Sequence, residues 1–496
     1  MKQLIFLFAT AIFFLACNGD KPDATNTTAP APPPPPSGTY QTIQDFKAKA
    51  EKPDITIQID GLNQQGFVFL VGSFLDQNYK ADSAKIEAGG KMRFKRDEPY
   101  FPGLMYLMLP DGNNFQVLVD LDQTFSMKTK ADNLIGAMEV QGSLDNELLY
   151  QTFRFEDSQR QAFAQNAARM KANPVGTPGH LEAKAEQDKL LDERIAYLNK
   201  IFQEHPNSLF TKFKKAGQNP DVRDAFRADG TMDTLRYGYL YRTRFWNDVD
   251  FNDERLLYTP VINNKLKRYI NELTPQNPDS IVQASIYLVD QTIGKPEFFK
   301  YFANWIVLNY DPKTSTLMDP QAVFVNMIER YFTYERAFWS DSVEVFGLQQ
   351  RAYEMSASLV GKKGPDVQAP DPSGKIRSIY EMKAPYIIVF MWNPDCEHCA
   401  EQTPKLVQNY TNWKNQGIDV FGIAVNTEDA KWKSTIQKYG MPWVNVFDPT
   451  NKAIYAKYYV DNTPEIYVLN PDRKIIAKNL QADQIMTVID RDRNKR

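Results

Sequence analysis

The chain has 496 residues, of which 43% are apolar and 24% charged, and a formal net charge of −3. Such a length holds about three domains of ordinary size, and the charge excludes a chain built to neutralise a nucleic-acid backbone. Three cysteines (Cys17, Cys396 and Cys399) and three histidines (His180, His205 and His398) exclude a disulfide framework and leave little for a multi-histidine metal site.

Residues 1–17 carry one lysine, an apolar stretch over residues 4–15, then Ala16 and Cys17. This is the pattern of a secretory signal, and the stretch is short for a bilayer-spanning helix. Phe14-Leu15-Ala16-Cys17 resembles the lipobox of bacterial lipoproteins, with Phe14 where leucine is usual. The resemblance implies that the Cys17 thiol is acylated and becomes the mature N-terminus, anchored in a membrane. A simple cleaved signal is the alternative. Residues 18–52 are rich in proline and threonine, with five consecutive prolines at 32–36, and read as an extended linker.

Residues 53–142 read as a β domain. Ile55-Thr56-Ile57-Gln58-Ile59 and Phe67-Val68-Phe69-Leu70-Val71 are strand-like runs, and others follow at 104–109, 115–121 and 125–129, with a Pro110-Asp111-Gly112 turn. Their spacing predicts a small antiparallel sandwich or barrel, with no cluster of titratable residues standing out. Near Ser143 the period changes. Leu191, Ile195, Leu198 and Phe202 form a helical stripe, and helical patterns broken by Pro206, Pro220, Pro260, Pro275 and Pro320 fill residues 143–361. The aromatic and acidic run from Phe245 to Phe251 reads either as core with solvated carboxylates or as a peptide- or glycan-binding surface. Both regions resemble modules that precede a thioredoxin-like domain in Gram-negative lipoproteins, a likeness that implies architecture and not activity.

Residues 362–496 alternate strand and helix, the mark of an α/β layer structure. Tyr386-Ile387-Ile388-Val389-Phe390-Met391 is a continuous apolar run, as in a buried central strand. Trp392-Asn393-Pro394-Asp395-Cys396-Glu397-His398-Cys399 follows, and then a helical stretch. A cysteine between a buried strand and a helix sits at the positive end of the helix dipole, where unpaired N–H groups favour the thiolate. A second cysteine one turn later can attack a mixed disulfide within the same molecule. Cys396 is thus the candidate attacking thiol and Cys399 the resolving one. Half a zinc site is the other reading of such a pair, but it needs two more soft ligands; the one remaining cysteine, Cys17, is read as lipidated, and His180 and His205 fall in a different predicted domain.

These residues resemble the thioredoxin superfamily, and within it the TlpA/ResA-like extracytoplasmic thiol–disulfide oxidoreductases, over residues 362–496. Trp392 stands four residues before Cys396 and Pro404 five after Cys399, as in that family; Thr463-Pro464 precedes a strand where the family places its cis-proline loop. The resemblance implies a loop that pairs with substrate main chain. There are departures. Asp395 replaces a common aromatic, Phe390 stands where thioredoxin keeps a buried aspartate, and Gln402 replaces a frequent glutamate with Glu401 beside it. Proton handling by the resolving thiol is therefore unassigned, with Glu397 and Glu401 as candidates. His398, inside the pair, is expected to lend a hydrogen bond or positive charge to the thiolate, while Asp395 opposes it.

The expectation is a multidomain, lipid-anchored protein facing the periplasm: an antiparallel β domain, an α-helical domain and a C-terminal thioredoxin-like fold. Cys396 and Cys399 act on the thiols and disulfides of exported proteins, supported by His398, Glu397, Trp392, Pro404, Thr463 and Pro464. The function needs an electron-donating redox partner, no cofactor, no metal and no nucleic acid. A peroxiredoxin-like peroxidase is the rival enzyme, although Asn393 stands where such an enzyme needs threonine. A binding lipoprotein with a vestigial C-terminal domain is the non-enzymatic rival.

Overall fold

The computed structural model describes residues 39–451, 457–460 and 462–495. Cys17 and its lipobox lie outside the described residues. Three successive parts follow one another: β sheets, a helical region and an α/β layer.

The first part opens with α1 (Ile43–Lys49), a short helix whose Thr42 and Asp45 form a reciprocal capping box. This corrects the linker reading of residues 18–52. Ile43 and Phe46 are buried, the Tyr40 hydroxyl and the Ile43 N–H both donate to the Glu254 carboxylate, and Gln41 bridges to Asp253. Apolar side chains on one face of a single helical turn suffice to dock it.

Eight strands follow: β1 (Asp54–Asp60), β2 (Phe67–Phe74), β3 (Gln77–Lys85), β4 (Lys91–Lys95), β5 (Gly103–Met108), β6 (Asn114–Val119), β7 (Thr124–Lys130) and β8 (Glu139–Gln141). They build two four-stranded sheets, ordered β4-β1-β7-β8 and β3-β2-β5-β6. Alternate residues Ile55, Ile57 and Ile59 of β1 point into the core between them. The first sheet is mixed, not wholly antiparallel, because β1 runs parallel to β7 with Asp54 opposite Thr124. A hairpin cannot join two such strands, and the 63 residues between them cross through the second sheet.

Helices α2 (Leu144–Ala172) and α3 (Pro178–Glu204) form a long hairpin, capped by the Ser143 and Thr177 hydroxyls. The face of α3 that is buried carries Ala183, Leu190, Leu198 and Ile201, whereas Ile195 is 39% exposed. The apolar stripe therefore lies rotated from the one expected, because α2 covers only one side of α3. Then come α4 (Leu209–Ala216), α5 (Thr234–Arg244), a 3₁₀ turn at Glu254–Tyr258, α6 (Pro260–Arg268), α7 (Pro278–Asp290), α8 (Pro296–Asn309), α9 (Pro320–Tyr331) and α10 (Ser342–Ser356). Proline opens α3, α6, α7, α8 and α9, where its missing N–H costs no helical bond. Phe245, Trp246 and Phe251 are core: Phe245 stacks on Tyr269, Trp246 meets Tyr269 edge to face, and Phe251 meets Phe298 and Phe302 edge to face, while Asp250 pairs with Lys212 at 2.7 Å. The binding-surface reading of that run is thereby corrected.

The last part holds β9 (Gln368–Pro370), β10 (Ile376–Ser378), β11 (Tyr386–Trp392), α11 (Glu397–Asn415), β12 (Ile418–Ala424), α12 (Asp429–Tyr439), β13 (Val444–Phe447), β14 (Glu465–Leu469), β15 (Ile475–Ala477) and α13 (Ile485–Arg493). Its main sheet is ordered β13-β12-β11-β14-β15, parallel across the first three strands and antiparallel beyond. All seven residues of β11 are buried, alternating between two apolar clusters on opposite faces of the sheet. Its C-terminal end delivers the chain to the cysteines.

Candidate active site

After Trp392 the chain makes a tight turn. The Asn393 side-chain oxygen accepts from the Asp395 N–H at 2.8 Å, and its carbonyl accepts from the Cys396 N–H at 3.2 Å. Cys396 is then the N-cap of α11, and its sulfur accepts the Cys399 N–H at 3.2 Å. This replaces the oxygen of an ordinary cap by sulfur, and it turns helix-terminal N–H groups toward any charge on that sulfur. On its other side Cys396 Sγ donates to the Thr463 carbonyl at 2.9 Å. The Thr463–Pro464 peptide is cis. The amide favours the thiolate and the carbonyl favours the thiol, so the nucleophile is held between opposed influences.

Cys399 differs in kind. It is buried, and its sulfur accepts from the Asn393 N–H at 3.5 Å. Burial pushes its thiol up to about 12, with the Cys396 sulfur adding to the rise and the Asn393 amide opposing it. Both cysteines are free thiols, Cys396 half-buried and reachable from solvent, Cys399 behind it. One sulfur can thus meet a partner while the other stays protonated until its neighbour has been used.

The supporting residues divide. Trp392 is buried beneath the turn and its carbonyl accepts from the Val425 N–H at 2.9 Å. Pro404 lies inside α11, one residue beyond Thr403, whose hydroxyl donates to the Cys399 carbonyl at 2.7 Å. His398 is not brought to the sulfurs: its side chain is 79% exposed and its Nδ1 lies 3.7 Å from a Glu401 carboxylate oxygen. The expected donation from His398 to the thiolate is therefore corrected; on the first turn of α11 that position faces outward. Glu397 and Glu401 also face solvent. Gln402 is buried and accepts from the Ala482 N–H at 2.9 Å, a structural bond to the far end of the domain.

Asp395 forms an ion pair with Lys431 of α12 at 2.5 Å, which offsets its charge beside Cys396. Two contributors were missed by sequence reasoning. Asn393 shapes the turn and donates to Cys399, and the Asn-Pro-Asp turn signal could have found it. Met318, from the helical region, packs against the large apolar cluster of which Cys399 is one member; no local signal marks it.

Residues 360–478 match the AhpC/TSA family, and residues 54–149 match a domain of unknown function, DUF4369. The C-terminal part is a thioredoxin-like domain of the AhpC/TSA family, and its relatives are ResA/TlpA-like. One is the thiol–disulfide oxidoreductase ResA of Bacillus subtilis, 23% identical over 116 residues, which are 23% of this chain and 64% of that protein. The chain thus spans less than two thirds of that relative's length. Among solved structures, a thioredoxin-like protein from Bacteroides caccae aligns over 55% of this chain and 97% of its own, at 18% identity and a TM-score of 0.46. The thioredoxin domain of a thiol–disulfide oxidoreductase from Bacteroides vulgatus aligns over 27% and 96%, at 25% identity and a TM-score of 0.26.

Proposed function

We propose that this protein is an extracytoplasmic thiol–disulfide oxidoreductase, anchored to a membrane through acylated Cys17, that reduces or isomerises disulfides of exported proteins. The observation that carries the reading is the pair itself: a reachable sulfur capping a helix, and a buried one behind it with its thiol pushed up to about 12. The Cys396 thiolate attacks a substrate disulfide, forming a mixed disulfide and releasing one substrate thiol. Cys399 loses its proton, attacks Cys396 Sγ and releases the second substrate thiol. The two electrons reside in the substrate, and the Cys396–Cys399 disulfide awaits a dithiol donor. Among the described residues no helix is long and apolar enough to cross a membrane.

The test is reduction of insulin disulfides by the full chain. Cys396→Ser abolishes it, and Cys399→Ala accumulates a thiol-sensitive adduct on Cys396 in the membrane fraction of cells. Activity that survives Cys396→Ser removes this assignment. The family match to AhpC/TSA also raises peroxide reduction; consumption of hydrogen peroxide at a rate exceeding insulin reduction would favour that chemistry instead.

A further inference from the structure

The helical region and the thioredoxin-like domain meet across a charged contact with almost no solvent. Asp319, the N-cap of α9, is fully buried; its carboxylate accepts from the Val360 and Ala322 N–H groups at 2.8 and 3.2 Å. Lys478, just past β15, is equally buried, and its ammonium lies 4.0 Å from Asp319. The same ammonium donates to the Ser358 carbonyl at 3.3 Å and lies 4.9 Å from the centre of the Tyr467 ring.

Glu465 also acts on Lys478, from the side of the cysteines, and it is the residue directly after Pro464. It is buried, opposes Met391 in the β11–β14 ladder, and accepts from the Asn479 N–H at 2.9 Å. The Asn479 side chain in turn donates to Gln321 of α9 at 3.3 Å. A line of hydrogen bonds thus runs from Gln321 of α9 through Asn479, the neighbour of Lys478, to Glu465, then along two residues of backbone to the carbonyl that touches Cys396.

A buried ion pair is a poor means of stabilisation, since well-packed apolar side chains often do as well or better. It does impose position, because each charge must find its partners. We infer that Asp319 and Lys478 are positioning residues through which the helical region holds the Thr463–Pro464 loop against Cys396. The inference rests on the reading of Cys396 as the exchanging nucleophile. The helical region is then part of the redox apparatus, although it contributes no sulfur. Met318, one residue before Asp319, packs from the same segment against the apolar cluster that includes Cys399.

The readout is the pH profile of Cys396 alkylation in the full chain, followed by mass spectrometry of the peptide that carries it. It needs no turnover. Asp319→Asn, which keeps an acceptor for the cap, slackens the loop and removes part of the Thr463 hold on the thiol. Alkylation at pH 7 then rises about threefold or more, while kcat/KM for a protein disulfide falls. Glu465→Gln, which retains its bond to Asn479, does the same and serves if Asp319→Asn fails to fold. Phe46→Ala, remote from the line, lowers stability and leaves the profile unchanged. Wild-type profiles in both Asp319→Asn and Glu465→Gln, with only Tm lowered, overturn the inference. An inert wild type toward insulin with shifted variant profiles overturns the oxidoreductase reading and leaves the positioning role standing.

Discussion

Asp145 shows how strongly one residue can depend on a neighbourhood that the chain assembles late. It is 7% exposed, and its carboxylate accepts from the Phe210 N–H at 2.6 Å. Burial raises its pKa to about 7, with Asp120 adding to the rise and the Phe210 amide and Arg255 opposing it. In the native state the proton is kept between about pH 4 and 7, where the unfolded chain gives it up. The native state then binds more protons, so stability falls as pH rises through that window. Asp145→Asn keeps the acceptor and cannot ionise, so it flattens the decline; urea denaturation of both proteins at pH 5 and pH 7.5 measures the difference. Equal pH slopes in the two proteins would remove this account. No titratable cluster is legible in the β-domain sequence because Asp120 and Asp145 stand apart along the chain. They meet only where β6 abuts α2, joined by Asn146 bonding both backbone groups of Leu118.

At the scale of elements, legibility followed burial. Strands β1, β2, β5, β6 and β7 were readable because apolar side chains recur along them. Strands β3 and β8 are edges whose sequences, such as the polar Gln77–Lys85, carry no strong core pattern, and β4 turns only Met92 and Phe94 inward. In the C-terminal domain the apolar runs of β11, β12 and β14 and the cysteine spacing were enough to place the reactive helix. The direction of His398 was not readable, since its spacing from Cys396 is silent about which side of the first turn faces the loop at Thr463. Helix α1 escaped notice because only Ile43 and Phe46 mark it, behind a run of prolines. Its weight can be measured. The Phe46 ring is 6% exposed with the Arg255 guanidinium 4.1 Å from its centre, so Phe46→Ala costs about 3 kcal/mol in denaturant titration. A loss under about 0.5 kcal/mol, typical of a surface change, would show that α1 is merely laid against the body.

Across the whole molecule, buried charge marks the joints. Arg255 donates to Asp120 of the β domain at 2.7 Å, to the Asp253 carboxylate on its own segment, and to the Asn207 carbonyl at 3.0 Å. Together with its contact to Phe46 it ties helix, sheets and helical region at one point. Arg255→Met strands two buried carboxylates and lowers stability by about 3–5 kcal/mol. Adding Asp120→Asn restores part of that loss, because one stranded charge is gone. If the double variant is as unstable as the sum of both single losses, the charges are not what couples the parts. The second joint, at Asp319 and Lys478, is built on the same plan.

The docking of α1 also sets an order in time. Tyr40 and Ile43 are held by Glu254, more than 200 positions later in the chain. Synthesis runs from the N-terminus, and Glu254 emerges only when about half the protein has been made. Until then Ile43 and Phe46 have no finished surface to rest on. The earliest described residues to leave the ribosome are therefore among the later ones to be locked, and α1 stays undocked until the segment around Glu254 has been made.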